Sequence, residues 1–222
     1  MITKNLAGIG MTSQRTRSRL IQRLRDKGIV DERVLSVMEK TPRHIFIDEA
    51  LSHRAYEDSS LPIGMGQTIS QPYIVARMTE LLAMSGKMDD VLEIGTGCGY
   101  QTSILAGVSR RVYTIERIKQ LQKQAVERFK ALKLHNVTYQ HGDGYLGWSE
   151  QAPFDAVIVT AAPDQVPQPL LDQLAVGGRM VIPVTSSNGD QELHLLEKND
   201  EGISSMKVED VKFVPLLGGT VE

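Results

Sequence analysis

Three observations predict an α/β domain, doubly wound and mostly parallel. Short apolar strands alternate with helical patterns between residues 89 and 184, the strand at 91–94 runs straight into a glycine turn, and two strands with no helix between them end the chain. Alternation of this kind implies parallel strands joined by right-handed crossovers, while the final pair implies an antiparallel edge.

The 222 residues suffice for one large domain with a full core and a small appendage. We divide that single domain, 1–222, into N-terminal helices and a long loop (1–86), a βα core (87–184) and a C-terminal hairpin (185–222). A formal charge of −2 excludes a broadly basic surface, so no nucleic-acid partner is expected. Cys98 is the one cysteine, which excludes an intramolecular disulfide, and no Cys/His spacing suits zinc, so no metal is expected. MITKNLAGIG lacks a signal peptide's apolar core and no stretch approaches the roughly 20 apolar residues of a membrane span, so the expectation is a cytoplasmic protein without a membrane partner.

Residues 1–12 carry no periodicity and read as a frayed arm. From Ser13 a basic helix is expected, with Leu20, Ile21 and Leu24 as its apolar stripe, Arg15, Arg17, Arg19, Arg23 and Arg25 as a solvated collar, and Gly28 as its stop. Asp31 then caps a second helix through Lys40, ended by Pro42. Residues 43–69 show no sustained periodicity, and a loop that long inside a compact domain is usually functional. Ser70 stands where an N-cap belongs, ahead of a helix whose Ile74, Val75, Met78, Leu81 and Leu82 share a face before Gly86 closes it.

The central stretch is DDVLEIGTGCGYQ, residues 89–101. Val91, Leu92 and Ile94 suit a doubly buried strand, Gly95, Gly97 and Gly99 strip bulk from the turn, and Ser103, Ile104, Leu105 and Val108 begin the helix behind it. A glycine turn alone is a common steric device. The next strand, Arg111–Ile115, ends in Glu116, close to the roughly 20-residue spacing at which a carboxylate can bond ribose hydroxyls. An amphipathic helix follows at 117–132, then a strand at 137–140 and the turn His141-Gly142-Asp143-Gly144. A strand at 154–160, a helix at about 167–175 ended by Gly177-Gly178, and a strand at 179–184 complete the parallel part. The closing hairpin pairs 192–198 with 207–216 around Asn199–Gly202, and Asp155 reads as a strand-edge residue.

The turn reads GxGxG rather than the GxGxxG of pyrophosphate-binding dehydrogenases, and no Lys-Ser/Thr pair follows it. Acids gather instead: Glu93 before the turn, Glu116 after the second strand and Asp143 after the third. That charge suits a cationic ligand, and S-adenosyl-L-methionine, with a sulfonium, an amino group, a ribose diol and an adenine amine, matches carboxylates and bare backbone. The Rossmann-like core therefore reads as that of a methyltransferase.

Beyond these features the chain resembles the bacterial protein-L-isoaspartate O-methyltransferases. The resemblance rests on PRHIF at 42–46, LPIGMGQTISQPYIVARM at 61–78, VLEIGTGCGYQT at 91–102, ERI at 116–118, HGDG at 141–144, APFDAVIVTAAP at 152–163, GGRMVIPV at 177–184 and VKFVPL at 211–216. It implies a seven-stranded class I S-adenosylmethionine-dependent methyltransferase sheet and esterification of the α-carboxylate of L-isoaspartyl residues in damaged proteins and peptides by a monomeric repair enzyme. It implies Ser70 as the active-site serine, with Thr68 and Ile69 placing its loop, Gly95, Thr96 and Gly97 beside the methionine part of the donor, and Glu116 on its ribose. Asp143 and Gly144 would lie near the adenine, and Val214 on the substrate side. Two other readings of the residues stay open: a carboxyl methyltransferase of small acids, and a donor-binding regulatory protein without turnover.

Overall fold

The computed structural model describes residues 8–84 and 86–222. The expected arm at 1–12 lies mostly outside them; of its described part, Gly10–Thr12 forms one turn of 3-10 helix. Two helices follow, α1 (Gln14–Asp26) and α2 (Glu32–Lys40), the second capped by the Asp31 carboxylate on Arg33 and Val34 N–H. The collar on α1 is not wholly solvated: Arg17 is buried, and Arg23 donates to the Tyr56 carbonyl at 2.6 Å.

Residues 43–69 are more ordered than their aperiodic sequence suggests. Arg43–Phe46 and Glu49–Arg54 are 3-10 turns, and β1 (Leu61–Gly64) pairs with β2 (Gln67–Ile69) in a small hairpin. Such short pieces carry too few residues for a period to show. Helix α3 (Pro72–Ala83) then leads into the sheet.

The strands β3 (Asp90–Ile94), β4 (Arg111–Glu116), β5 (Val137–His141), β6 (Phe154–Val159), β7 (Leu174–Thr185), β8 (Gln191–Asn199) and β9 (Gly202–Val211) form one seven-stranded sheet. Its order is β5-β4-β3-β6-β7-β8-β9; the first five are mutually parallel, and β8 and β9 are antiparallel additions. Three helices join the parallel strands: α4 (Tyr100–Val108), α5 (Lys119–Ala131) and the short α6 (Gln168–Asp172). Gly177 and Gly178 lie inside β7 and do not end a helix, and residues 212–216 leave the hairpin to bridge Ala162 through Pro215.

Alternation along β3 sorts the core. Leu92 and Ile94 face one cluster with Leu170, Met180 and Leu216, while Val91 faces Met78, Leu82 and Leu105 on α3 and α4. Asp155 is buried, not peripheral: its carboxylate accepts from Asp89 and Asp90 N–H at 3.1 Å and pairs with Lys87, tying the base of β6 to the base of β3. From β3 the chain winds outward to β4 and β5, then returns to β6 on the other side. The connections that leave the C-terminal ends of β3 and β6 therefore run in opposite directions, and a crevice at such a switch point is where open α/β sheets take ligands.

Candidate functional site

Two cavities open at that switch point. The first is lined by Gly95, Gly97, Ile115, Glu116, Gly144 and Thr160, and it is roofed by Ile63, Thr68 and the 214–217 segment. Gly95 (φ +95°) leaves it against bare backbone, because a Cβ there would run into the Thr160 hydroxyl. That hydroxyl donates to the Ile94 and Gly95 carbonyls at 3.0 and 2.9 Å, clamping the two strand ends together. Glu116 takes the Gly97 N–H on Oε2 at 2.7 Å and the Ile118 N–H on Oε1 at 2.9 Å. A carboxylate offers about four acceptor sites, so these amides do not exhaust Glu116, which lines the cavity. Burial raises its pKa, opposed by those amides.

The residues fit a nucleoside-bearing cation. Glu116 can accept from a diol, Ile115, Ile118 and Leu216 supply apolar walls for a flat ring, and the glycines admit close approach. Gly144 lines this cavity, whereas the Asp143 carboxylate is engaged beside it by Tyr145 N–H at 2.9 Å and Gly219 N–H at 2.6 Å.

Glu93 is a correction. The expectation of three carboxylates around a cation reduces to one, Glu116, on the cavity wall. Position 93 shares the α3/α4 side of β3 with Val91, so its fully buried carboxyl lies behind the turn. There its Oε2 accepts from Thr102 at 2.5 Å and from Thr114, its partner across the β3/β4 ladder, at 2.6 Å. Thr114 in turn contacts the Thr96 hydroxyl at 2.6 Å, and Oε1 is left without a partner. Burial pushes the acid's pKa up to about 8, so it is mainly protonated at neutral pH. Glu93 supports the turn from behind.

The second cavity, about 570 Å³, is lined by Lys27, Ser60, Thr68, Ser70, Tyr73, Glu209 and 210–214 among others. Thr68, Thr160 and Val214 line both cavities, so the two meet at these side chains. Ser70 also borders a small hollow beneath the glycine turn, shared with Ile69, Gly95, Thr96, Gly97 and Cys98.

Ser70 does not cap α3. The N-cap position is Gln71, whose side chain makes no cap bond, and the orphan N–H of Tyr73 is taken by Asp58 at 2.9 Å. Asp58 is itself held by Lys27 at 2.5 Å. With the helix end satisfied from elsewhere, the Ser70 hydroxyl is not needed as a cap, and Ser70 lines the second cavity. Sequence reasoning missed Asp58 and Thr160; Thr160 could have been found from its place at the end of the strand facing Gly95 across the switch point.

The protein-L-isoaspartate(D-aspartate) O-methyltransferase family matches residues 15–221. A protein-L-isoaspartate O-methyltransferase of Methylobacillus flagellatus is 58% identical over 99% of this chain and 100% of its own, and one of Hahella chejuensis is 60% identical over 95% and 100%. Among solved structures, a protein-L-isoaspartate O-methyltransferase superposes with a TM-score of 0.82 at 28% identity, covering 91% of this chain and 66% of its own. A Plasmodium falciparum β-aspartate methyltransferase in complex with S-adenosyl-L-homocysteine gives 0.79 at 29% identity, over 90% and 98%. With its seven-stranded sheet, its glycine-floored switch point and these matches along nearly its whole length, the chain belongs to the protein-L-isoaspartate(D-aspartate) O-methyltransferase family.

Proposed function

We propose that the protein is a repair methyltransferase that esterifies the α-carboxylate of L-isoaspartyl residues in damaged proteins and peptides, with S-adenosyl-L-methionine as donor. The observation that carries this is the junction of the two cavities at Thr68, Thr160 and Val214, with Ser70 on the acceptor side. Methylation gives the carboxylate a leaving group, so a succinimide reforms and can reopen to normal aspartate.

The donor supplies an electrophilic methyl group on a sulfonium. What remains for the chain is alignment. An α-carboxyl has a pKa of roughly 3.3–3.7 and is ionised at neutral pH, so no general base is needed to make the nucleophile. In this reading no metal takes part, since there is no proton for a Lewis acid to displace. Ser70 donates a hydrogen bond to one carboxylate oxygen and aims the other along the displacement axis, and Thr68, Val214 and Phe213 narrow the junction and exclude water. Glu116, Gly95, Thr96 and Gly97 hold the donor, with Ile69, Asp143 and Gly144 shaping its surroundings. The reading includes a cytoplasmic, monomeric enzyme with no nucleic-acid or membrane partner.

The test is incubation with labelled donor and a matched peptide pair that differs only in normal or isoaspartyl linkage at one position. Base-labile label confined to the isoaspartyl peptide is the expected result. Equal labelling of both, or labelling of small carboxylic acids instead, would replace this substrate assignment.

A further inference from the structure

Arg43 is fully buried, and among the described residues no carboxylate pairs with it. Its guanidinium lies over the Tyr100 ring at 4.8 Å. Nε–H donates to the Ala55 carbonyl at 2.9 Å, Nη2–H donates to the Ser70 carbonyl at 2.8 Å and more distantly to the Ser59 carbonyl at 3.5 Å, and Nη1 has no hydrogen-bond partner. A cation taken out of water without a counterion is costly, so its cost must be offset by the carbonyls that it gathers.

Two of those carbonyls lie beside the acceptor cleft: Ser70 lines it, and Ser59 is next to Ser60, which lines it too. Ser70 falls between the last residue of β2 and the first of α3, where neither a ladder nor a helix fixes its backbone. The guanidinium supplies what regular structure does not. We propose that Arg43 is a positioning residue for methyl transfer: by clamping the Ser70 carbonyl to the 55–59 segment, it fixes the direction in which the Ser70 hydroxyl meets the acceptor carboxylate. The inference rests on the reading of Ser70 given above.

A lysine at this place would keep the charge but lose the fork, because a single ammonium cannot present two rigid in-plane donors to Ala55 and Ser70 together. The clamp lies on the acceptor side and touches neither Glu116 nor Gly95, so its loss is expected in turnover and not in donor affinity.

The experiment is a cycle of wild type, Arg43→Lys, Ser70→Ala and the double variant, read as kcat and KM for the isoaspartyl peptide, donor Kd by calorimetry, and Tm. Arg43→Lys should lower kcat by about tenfold or more, since misplacement of a reacting group by an ångström can cost about 100-fold. Donor Kd should stay within about twofold, and the double variant should turn over no more slowly than Ser70→Ala alone. A kcat loss that multiplies onto Ser70→Ala, or a donor Kd that moves with kcat, overturns the proposal. If Arg43→Lys does not fold, an ester in place of the Ser70–Gln71 peptide bond weakens the Ser70 carbonyl as an acceptor with Arg43 intact. The same kcat loss is then expected, and an unchanged kcat overturns the clamp. Wild-type turnover by Ser70→Ala would instead sink the reading of Ser70 itself.

Discussion

The donor and acceptor halves of the proposed site are built by different physics. On the donor side, ladder bonds between β3, β4 and β6 fix the strand ends, and the turn's own amides bond to the Ile115 carbonyl and the Glu116 carboxylate. On the acceptor side, residues 43–70 hold only 3-10 turns and a short hairpin, and arginines bind the carbonyls left over, two from distant helices and one from within the segment. The Ile45 carbonyl takes Arg128, Tyr56 takes Arg23, and Ala55, Ser59 and Ser70 take Arg43. Buried carbonyls must be paired. Where no ladder is present, guanidinium groups do the pairing, and the result is an irregular surface held rigidly enough to aim a hydroxyl.

This contrast makes the donor side sensitive to backbone and the acceptor side to single long side chains. The largest effect is expected for Gly95→Ala, which combines a left-handed φ with a Cβ that collides with Thr160; donor affinity should fall roughly 100-fold, about 3 kcal/mol. Calorimetric titration with S-adenosyl-L-homocysteine measures it, and wild-type affinity would break the picture of a bare-backbone floor. Next comes Glu116→Gln, which keeps an acceptor for one amide but loses charge-assisted bonding; donor binding should weaken by about 1.5–3 kcal/mol while the peptide KM at saturating donor stays put. A shift in peptide KM alone would move Glu116 to the other half. On the acceptor side, Asp58→Ala removes the bond to Tyr73 N–H and should cost about 1 kcal/mol of unfolding free energy, read by denaturant titration.

A further effect is a slope in pH. Glu93 binds its proton more tightly in the folded chain, with a pKa of about 8 against an ordinary 4.5. Between those values the unfolded state has lost a proton that the folded state keeps, so the contribution of Glu93 to stability is fullest below about pH 4.5, declines up to about pH 8 and is then constant. Glu93→Gln removes this contribution. Unfolding free energy of the variant should decline less between pH 5 and 8 than that of the wild type; parallel profiles would mean that the carboxyl is ionised in the fold.

The same contrast governs what the sequence could reveal. The strands at 91–94, 111–115 and 154–160 and the glycine turn were legible because a period and a steric requirement each leave a local mark. Glu93 was misplaced because nearness to the turn in sequence was weighed above the two-residue alternation that puts it on the same side as Val91. The role of Asp58 at the α3 N-terminus was invisible because the bond spans 15 residues and a bulged segment. Ser70 looked like a cap since the local rule was met; tertiary structure satisfied the helix another way. Arg43 sat inside a family motif with no local sign that its side chain would be buried.

In the proposed mechanism Ser70 is left to the acceptor because Asp58 serves the helix. The most direct measurement is Tm together with kcat per folded molecule for Ser70→Ala and Asp58→Ala, side by side. A crossover is expected: Ser70→Ala loses turnover at wild-type Tm, and Asp58→Ala loses Tm. If Ser70→Ala lowered Tm as much as Asp58→Ala and left turnover per folded molecule unchanged, the serine would be a cap after all and the account would be contradicted.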